Sequence, residues 1–333
     1  MRARDIGIEI GDLDPGQLNA ITDVTGVRVG HTTLIEGDDI RTGVTVVRPG
    51  ELPAFASFWR LNGNGEVTGM HWVRESGLLT TPIALTNTHA VGAVHEALVA
   101  AALELDRSTW SLPVVGETWD GVLNDVNGFH VRPEHARAAL DAASEGAVAE
   151  GNVGGGTGMI CHGFKGGIGT ASRLADAFTV GVLVQANHGT RTRLTIDGVP
   201  VGRVIDAGRV PIPPRPAEGE GVGSIVVVVA TDAPLLPHQC ERLAVRAMLG
   251  VARVGGAGET SSGDFALSFS TGPTQSVEPV PNDAMNPLFY AAIEATEEAI
   301  VNALLAAETM TGRGGATAYG LDADLLAEAM STR

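Results

Sequence analysis

Residues 253–272 read RVGGAGETSSGDFALSFSTG, and this stretch governs how the rest of the chain is read. A loop of small residues, GGAG at 255–258, leads into Ser261, Ser262, Gly263 and Asp264. Residues 265–270 then predict a strand. A serine set directly before a strand, after an approach loop of small residues, suits an N-terminal nucleophile. In that chemistry the backbone is cut on the amino side of a Ser, Thr or Cys. The freed α-amine, with a reference pKa near ~8, then serves as general base for its own hydroxyl. Small residues leave the loop unhindered for the N-to-O acyl shift. Read by itself, the segment fits a serine-rich hairpin turn better than a nucleophile.

Working outward, the strand signals lie at 21–31 (ITDVTGVRVGH), 42–47 (TGVTVV), 82–85, 113–115, 178–185 (FTVGVLVQ) and 224–230 (SIVVVVA). The last reads as a central strand buried on both faces. Apolar residues at three- and four-residue spacing predict helices over 90–105, 133–148 and 284–307. Another helix is expected from Pro234 to about residue 249, closed by Gly250 as its C′ residue. Residues 210–223 (VPIPPRPAEGEGVG) read as an exposed connecting loop. Strands and helices mix without a fixed repeat or a low-complexity linker. One layered α/β domain over 1–333 is expected.

Composition narrows the chemistry. The chain carries 39 acidic against 22 Lys and Arg residues, for a formal net charge of −17. That disfavours nucleic acid and anionic membrane surfaces as partners. No secretory signal is visible in MRARDIGIEIGDLDPG, and the apolar run 225–230 is too short to span a bilayer, so the cytoplasm is the default location. Cys161 and Cys240 are too few for a disulfide framework, and no Cys/His spacing marks a metal site. The tract 151–172 (GNVGGGTGMICHGFKGGIGTAS) contains neither phosphate-loop pattern, since Lys165 precedes its glycine pair. Its glycines are read as places where backbone comes close to a substrate or a neighbouring strand. No G-x-S-x-G elbow accompanies the scattered histidines.

Several segments together resemble the DmpA-type aminopeptidases, that is, L-aminopeptidase/D-esterase and the β-aminopeptidases. These include NAITDVTGVRVGH (19–31), LNGNGEVTGMHWVRESG (61–77) and WSLPVVGETWDGVLNDVNGFHV (110–131). They continue with AEGNVGGGTGMICHGFKGGIGTASR (149–173), VGVLVQANHG (180–189), ATDAPLLPHQ (230–239), SGDFALSFST (262–271) and TEEAIVNALLAAETMTGR (296–313). The resemblance implies an αββα four-layer sandwich of the N-terminal-nucleophile type and self-cleavage between Ser261 and Ser262 into segments 1–261 and 262–333. Ser261 stands where relatives carry Asn or Gly.

The same resemblance implies hydrolysis of N-terminal amide or ester bonds of short peptides and amino-acid amides through an acyl-enzyme at Ser262, without metal or cofactor. Asn187 is the expected oxyanion donor, with Asp232 at the competing position. Glu150 is the expected anchor for the substrate's ammonium, with Gly155 and Gly156 bringing backbone close to the substrate. Thr296, Glu297 and Glu298 supply the downstream hydroxyl and carboxylate, and a helical wheel puts Glu297 near the centre of the apolar face, where the Ser262 amine would be a fitting partner. A homo-tetramer of cleaved protomers is implied. The competing functions are an acyltransferase of the ornithine acetyltransferase type, whose nucleophile is usually Thr, and a binding protein that never matures.

Overall fold

The computed structural model describes residues 1–214, 223–275 and 277–331; the remainder of the expected 210–223 loop lies outside the described residues. In chain order the strands are β1 (Arg28–Glu36), β2 (Ile40–Arg48), β3 (Ala54–Gly63), β4 (Leu78–Leu79), β5 (Ile83–Asn87), β6 (Val114–Thr118) and β7 (Ile160–Cys161). They continue as β8 (Phe164–Lys165), β9 (Gly167–Ala175), β10 (Phe178–Asn187), β11 (Ser224–Thr231), β12 (Gly263–Ser270), β13 (Met310–Thr311) and β14 (Thr317–Ala318). The α-helices are α1 (Met70–Ser76), α2 (Val91–Leu105), α3 (Pro133–Asp141), α4 (Val201–Val204), α5 (Pro237–Arg253), α6 (Asn286–Ala306) and α7 (Ala323–Met330).

Two sheets face each other. One has the order β1-β2-β5-β6 and the other β4-β3-β12-β11-β10-β9. Successive side chains of a strand point to opposite faces, and β11 shows what that does here. Ile225, Val227 and Val229 join the core under α5 and α6. Val226, Val228 and Ala230 join the core between the sheets, with Leu85 and Val114 of the smaller sheet. A third core, with Val44, Val46, Val94 and Leu98, lies between the smaller sheet and α2 and α3. The layers are therefore α5/α6, six-stranded sheet, four-stranded sheet, α2/α3. This is the expected αββα sandwich. Among the described residues no helix is long and apolar enough to cross a membrane.

Several boundaries differ from the sequence reading. Residues 21–23 form a 3-10 turn and β1 begins only at Arg28, because the Asp23 carboxylate accepts from the amides of Leu18 and Ala20 (2.9 and 3.0 Å) and holds the chain in a bend. Helix α3 stops at Asp141, where Ser144 pairs with Val29 of β1 through two backbone hydrogen bonds. Gly250 lies inside α5 and does not end it. A Cβ there would stand 2.5 Å from the Ile293 carbonyl and 2.7 Å from Thr296 Cβ, so this glycine lets α5 and α6 touch.

Candidate active site

Strand β12 runs parallel to β11 and antiparallel to β3, and β11 runs antiparallel to β10. The registers bring three strand ends together. Asn187 closes β10 opposite Ser224, which opens β11, and the Ser224 hydroxyl accepts from the amide of Gly263 at 3.1 Å. Ser262 therefore sits at the head of a fully buried strand, beside the end of another. It is 6 % exposed.

The Ser262 hydroxyl donates to Asp264 Oδ1 at 2.7 Å. The two residues are two apart at the start of a strand and so project to one face. Burial raises the Asp264 carboxyl above the usual carboxylate range, opposed by the Ser262 hydroxyl and reinforced by the negative charge of Glu259. The amide of Ser262 donates to the Glu259 carbonyl at 2.8 Å, which bends 259–262 into a tight turn.

Asn187 is held at both ends of its amide. Its Oδ1 accepts from the Ile160 amide at 2.7 Å, and its Nδ2 donates to the Trp119 carbonyl at 2.8 Å. These bonds leave one N–H of Nδ2 free to serve a ligand. Asn187, Ser261, Ser262 and Asp264 line one cleft of about 430 Å³, together with Asp120, His188 and Glu259. Asp120 is buried, with one carboxylate oxygen taking the Asn124 amide at 3.0 Å and the side chains of Thr42 and Asn87 also close to the carboxylate. Burial pushes its pKa up to about 7.

Beside the cleft, the Cys161 thiol lies 3.7 Å from His188 Nδ1, and the His162 and His188 rings meet edge to face. Burial holds both imidazoles neutral, His162 down to about 4, and pushes Cys161 up to about 12. No local spacing announces this group, because His188 arrives from the far end of β10.

The other residues singled out in the sequence do not line this cleft. Glu150 pairs with Arg2 Nε at 2.8 Å and accepts from the Thr170 amide at 2.8 Å. A Cβ on Gly155 would lie 2.1 Å from Gln185 Oε1, and one on Gly156 would lie 2.4 Å from the Ile168 amide. Both glycines pack against strands, not against open cleft. Thr296 donates back to the Ala292 carbonyl at 2.7 Å within α6. Glu297 pairs with Arg253 Nε at 2.6 Å and accepts from the Asp197 amide at 3.2 Å, so its partner here is a guanidinium and not the Ser262 nitrogen. Glu298 takes Arg173 Nη2 at 2.5 Å, Asn19 Nδ2 at 2.5 Å and Arg4 Nε at 3.2 Å. Asp232 accepts from the Thr179 amide at 2.7 Å, at the end of β11 opposite Ser224. Of the two oxyanion candidates, only Asn187 shares the cleft with Ser262.

The sequence profile of peptidase family S58 matches residues 19–318. The chain belongs to peptidase family S58. Curated relatives include the β-peptidyl aminopeptidase BapA of Sphingosinicella microcystinivorans, 47 % identical over 95 % of this chain and 88 % of that protein. The protein of the same name from Sphingosinicella xenopeptidilytica is 48 % identical over 100 % of this chain and 91 % of its own. Among solved structures, a Burkholderia sp. β-aminopeptidase superposes with a TM-score of 0.92 at 53 % identity, covering 100 % of this chain and 99 % of that one. The L-aminopeptidase D-Ala-esterase/amidase of Ochrobactrum anthropi superposes with a TM-score of 0.90 at 42 % identity, covering 99 % and 98 %. That structure is described as a prototype of the serine aminopeptidases and a variant of the Ntn hydrolase fold. The S58 chain is accordingly a hydrolase of the aminopeptidase type with an N-terminal-nucleophile fold.

Proposed function

We propose that the chain, a single catalytic domain, cuts its own Ser261–Ser262 bond and that Ser262 then hydrolyses amide bonds at the amino end of short peptides and amino-acid amides. One observation carries the reading. The Ser262 hydroxyl stands at the head of a buried strand in a cleft that also holds a rigidly oriented asparagine amide.

In the mature enzyme the freed α-amine of Ser262 takes the proton from Oγ as Oγ attacks the substrate carbonyl. The free N–H of Asn187 Nδ2 is the donor assigned to the oxyanion, a charge that develops only in the transition state. Collapse releases the amine product and leaves an ester on Ser262, which water hydrolyses. Each step uses protein groups and water alone. Asp120 takes the place first given to Glu150. Asp120, which lines the cleft, is the carboxylate assigned to the substrate's ammonium, and that positive charge would hold it ionised.

The names of the two BapA relatives and of the Burkholderia enzyme support a β-amino-acyl group as the acyl half of the substrate. The resemblance also supports a tetramer of cleaved protomers. The test is hydrolysis of a β-amino-acyl anilide and its α-amino-acyl counterpart by the wild-type and Ser262→Ala proteins. The reading expects release of the aniline from the β-amino-acyl probe by the wild type alone. Equal release by the variant would remove Ser262 from the mechanism.

A further inference from the structure

Three residues that no step of the hydrolysis uses meet beside the cleft. Cys161 closes β7, His162 follows it, and His188 follows Asn187 at the end of β10. The His162 amide donates to the His188 carbonyl at 2.7 Å and so ties the two segments together. Cys161 and His162 are fully buried, and His188 is buried at the cleft wall. One donor atom from each of the three lies within 4.8 Å of the others.

Their atoms are disposed as metal ligands are. His162 Nδ1 faces the Thr190 carbonyl at 3.2 Å, so it carries the ring proton and the lone pair is left on Nε2. That buried Nε2 has no partner among the described residues. A buried polar atom without a partner is uncommon and costly. A ligating histidine ordinarily gives its other ring N–H to a carbonyl or carboxylate, as His162 does here. Cys161 Sγ and His188 Nδ1 are 3.7 Å apart. Around a tetrahedral zinc ion, bonds of about 2.3 Å to sulfur and about 2.1 Å to nitrogen set such a pair about 3.6 Å apart. These two atoms already stand at ligand spacing.

We propose that Cys161, His162 and His188 form a zinc site whose filling slows the hydrolase. Thiolate and imidazole are donors that suit zinc, and three protein ligands leave a fourth position for water from the cleft. On binding, the Cys161 S–H bond breaks, its electron pair forms the Zn–S bond, and the proton goes to solvent. Both imidazoles bind as neutral rings. The ion enters through the cleft, whose wall includes Gly163, His188 and Thr190. Two cations stand near: Lys165, held by the carbonyls of Gly156, Met159 and Gly166, and Arg191, whose Nε donates to the His162 carbonyl at 3.0 Å. They favour the thiolate and oppose the ion. The site is therefore suited to filling and emptying with the zinc supply rather than to holding an ion permanently.

The ligands are joined to the clamp on Asn187. Cys161 follows Ile160, whose amide holds Asn187 Oδ1 at 2.7 Å, and His188 follows Asn187 itself. Closing three donor atoms onto one ion therefore pulls on both sides of the Asn187 amide. A displacement of about 1 Å at a reacting centre costs on the order of 100-fold in rate, and the smaller one needed here is expected to cost about tenfold. Zinc binding is independent of the proposed reaction. Its effect on rate rests on Asn187 as the oxyanion donor.

The test uses the full-length protein, stripped with EDTA and dialysed. Cobalt(II) chloride is the first probe, because a thiolate bonded to cobalt gives a charge-transfer absorption that nitrogen and oxygen ligands do not. The wild type should show this band, saturating at one ion per chain, and zinc chloride should abolish it by displacement. Cys161→Ala should lack it, although Cys240 remains. Zinc chloride should then lower kcat on the anilide by about tenfold with little change in KM, and EDTA should restore it. Cys161→Ala should hydrolyse at the metal-free wild-type rate and need on the order of 100-fold more zinc for the same loss. His162→Gln is the second variant, expected to weaken zinc likewise, and melting curves show whether either variant has lost its fold. A wild type without the sulfur-to-cobalt band, or a folded Cys161→Ala protein with an equal one, overturns the site. A wild type that binds zinc through Cys161 and keeps its kcat overturns the inhibition. A metal-free wild type that does not hydrolyse the anilide overturns the proposed function instead, and the cobalt band still decides the site.

Discussion

Arg173 is, with Arg191, among the largest fully buried side chains of the described residues, and its removal should be costly in a way the structure specifies. Its guanidinium meets Glu298 at 2.5 Å and Glu294 at 3.3 Å, and donates to the Ile10 and Ser172 carbonyls at 2.6 and 2.7 Å. It ties the N-terminal segment and β9 to α6. Arg173→Met keeps an unbranched apolar stem and removes the guanidinium with its charge. Two buried carboxylates and two carbonyls then each lose a donor, while Glu298 keeps Asn19 and Arg4 and Glu294 keeps the Leu13 amide. Breaking one buried pair from one side costs about 3–5 kcal/mol, chiefly through the charge left behind.

The unfolding entropy of about 2.1 cal/mol/K per residue gives about 0.7 kcal/mol/K for 333 residues. A loss of about 4 kcal/mol then lowers the melting midpoint by about 6 °C. The measurement belongs in the Ser262→Ala background, where one covalent chain unfolds. Adding Glu298→Leu removes the nearest stranded charge. The double variant should therefore lose about 1–3 kcal/mol less than the two single losses together. A single variant that melts within about 1 °C of its parent would refute the reasoning. So would a double variant that loses the full sum.

Other outcomes follow from the cleft and the glycine tract. Gly155→Ala places a Cβ 2.1 Å from Gln185 Oε1 and 2.7 Å from the Leu85 carbonyl, so urea unfolding should report a loss of about 1–3 kcal/mol. Asn187→Ala should lower kcat of the matured enzyme by about 10²–10³ with little change in KM, as removal of a transition-state donor does, read by steady-state hydrolysis of the anilide.

The sequence announced the elements that bury uniformly apolar runs. Strands β10 and β11 and helix α6 were legible because each is buried along most of its length, and α2 because its apolar residues recur at three- and four-residue spacing, although only Val94, Ala97 and Leu98 are buried. Strand β9 was not, since it lies in the glycine tract and takes its place from the close approach of α6. Strand β3 was hidden too, because only its first half is buried and Trp59 and Leu61 reach solvent. Ser262 and Asn187 were both singled out, and the fold brings them to one cleft.

Asp264 was missed although a local signal existed. A carboxylate two residues after a serine, at the start of a strand, shares its face. Asp120 carried no such signal. It reaches the site only through the facing of the two sheets. Glu150 was given to substrate because nothing in its neighbourhood reveals that Arg2 folds back onto it.

The central claim is that Ser262 becomes an N-terminus. Intact-mass measurement of the purified protein, with sequencing of each fragment's first residues, tests it most directly. The account predicts two polypeptides in equal amount, the smaller beginning SGDFALSFS at Ser262, and a single 34.3 kDa chain for Ser262→Ala. A wild-type preparation that hydrolyses amides while remaining one 34.3 kDa chain would contradict it.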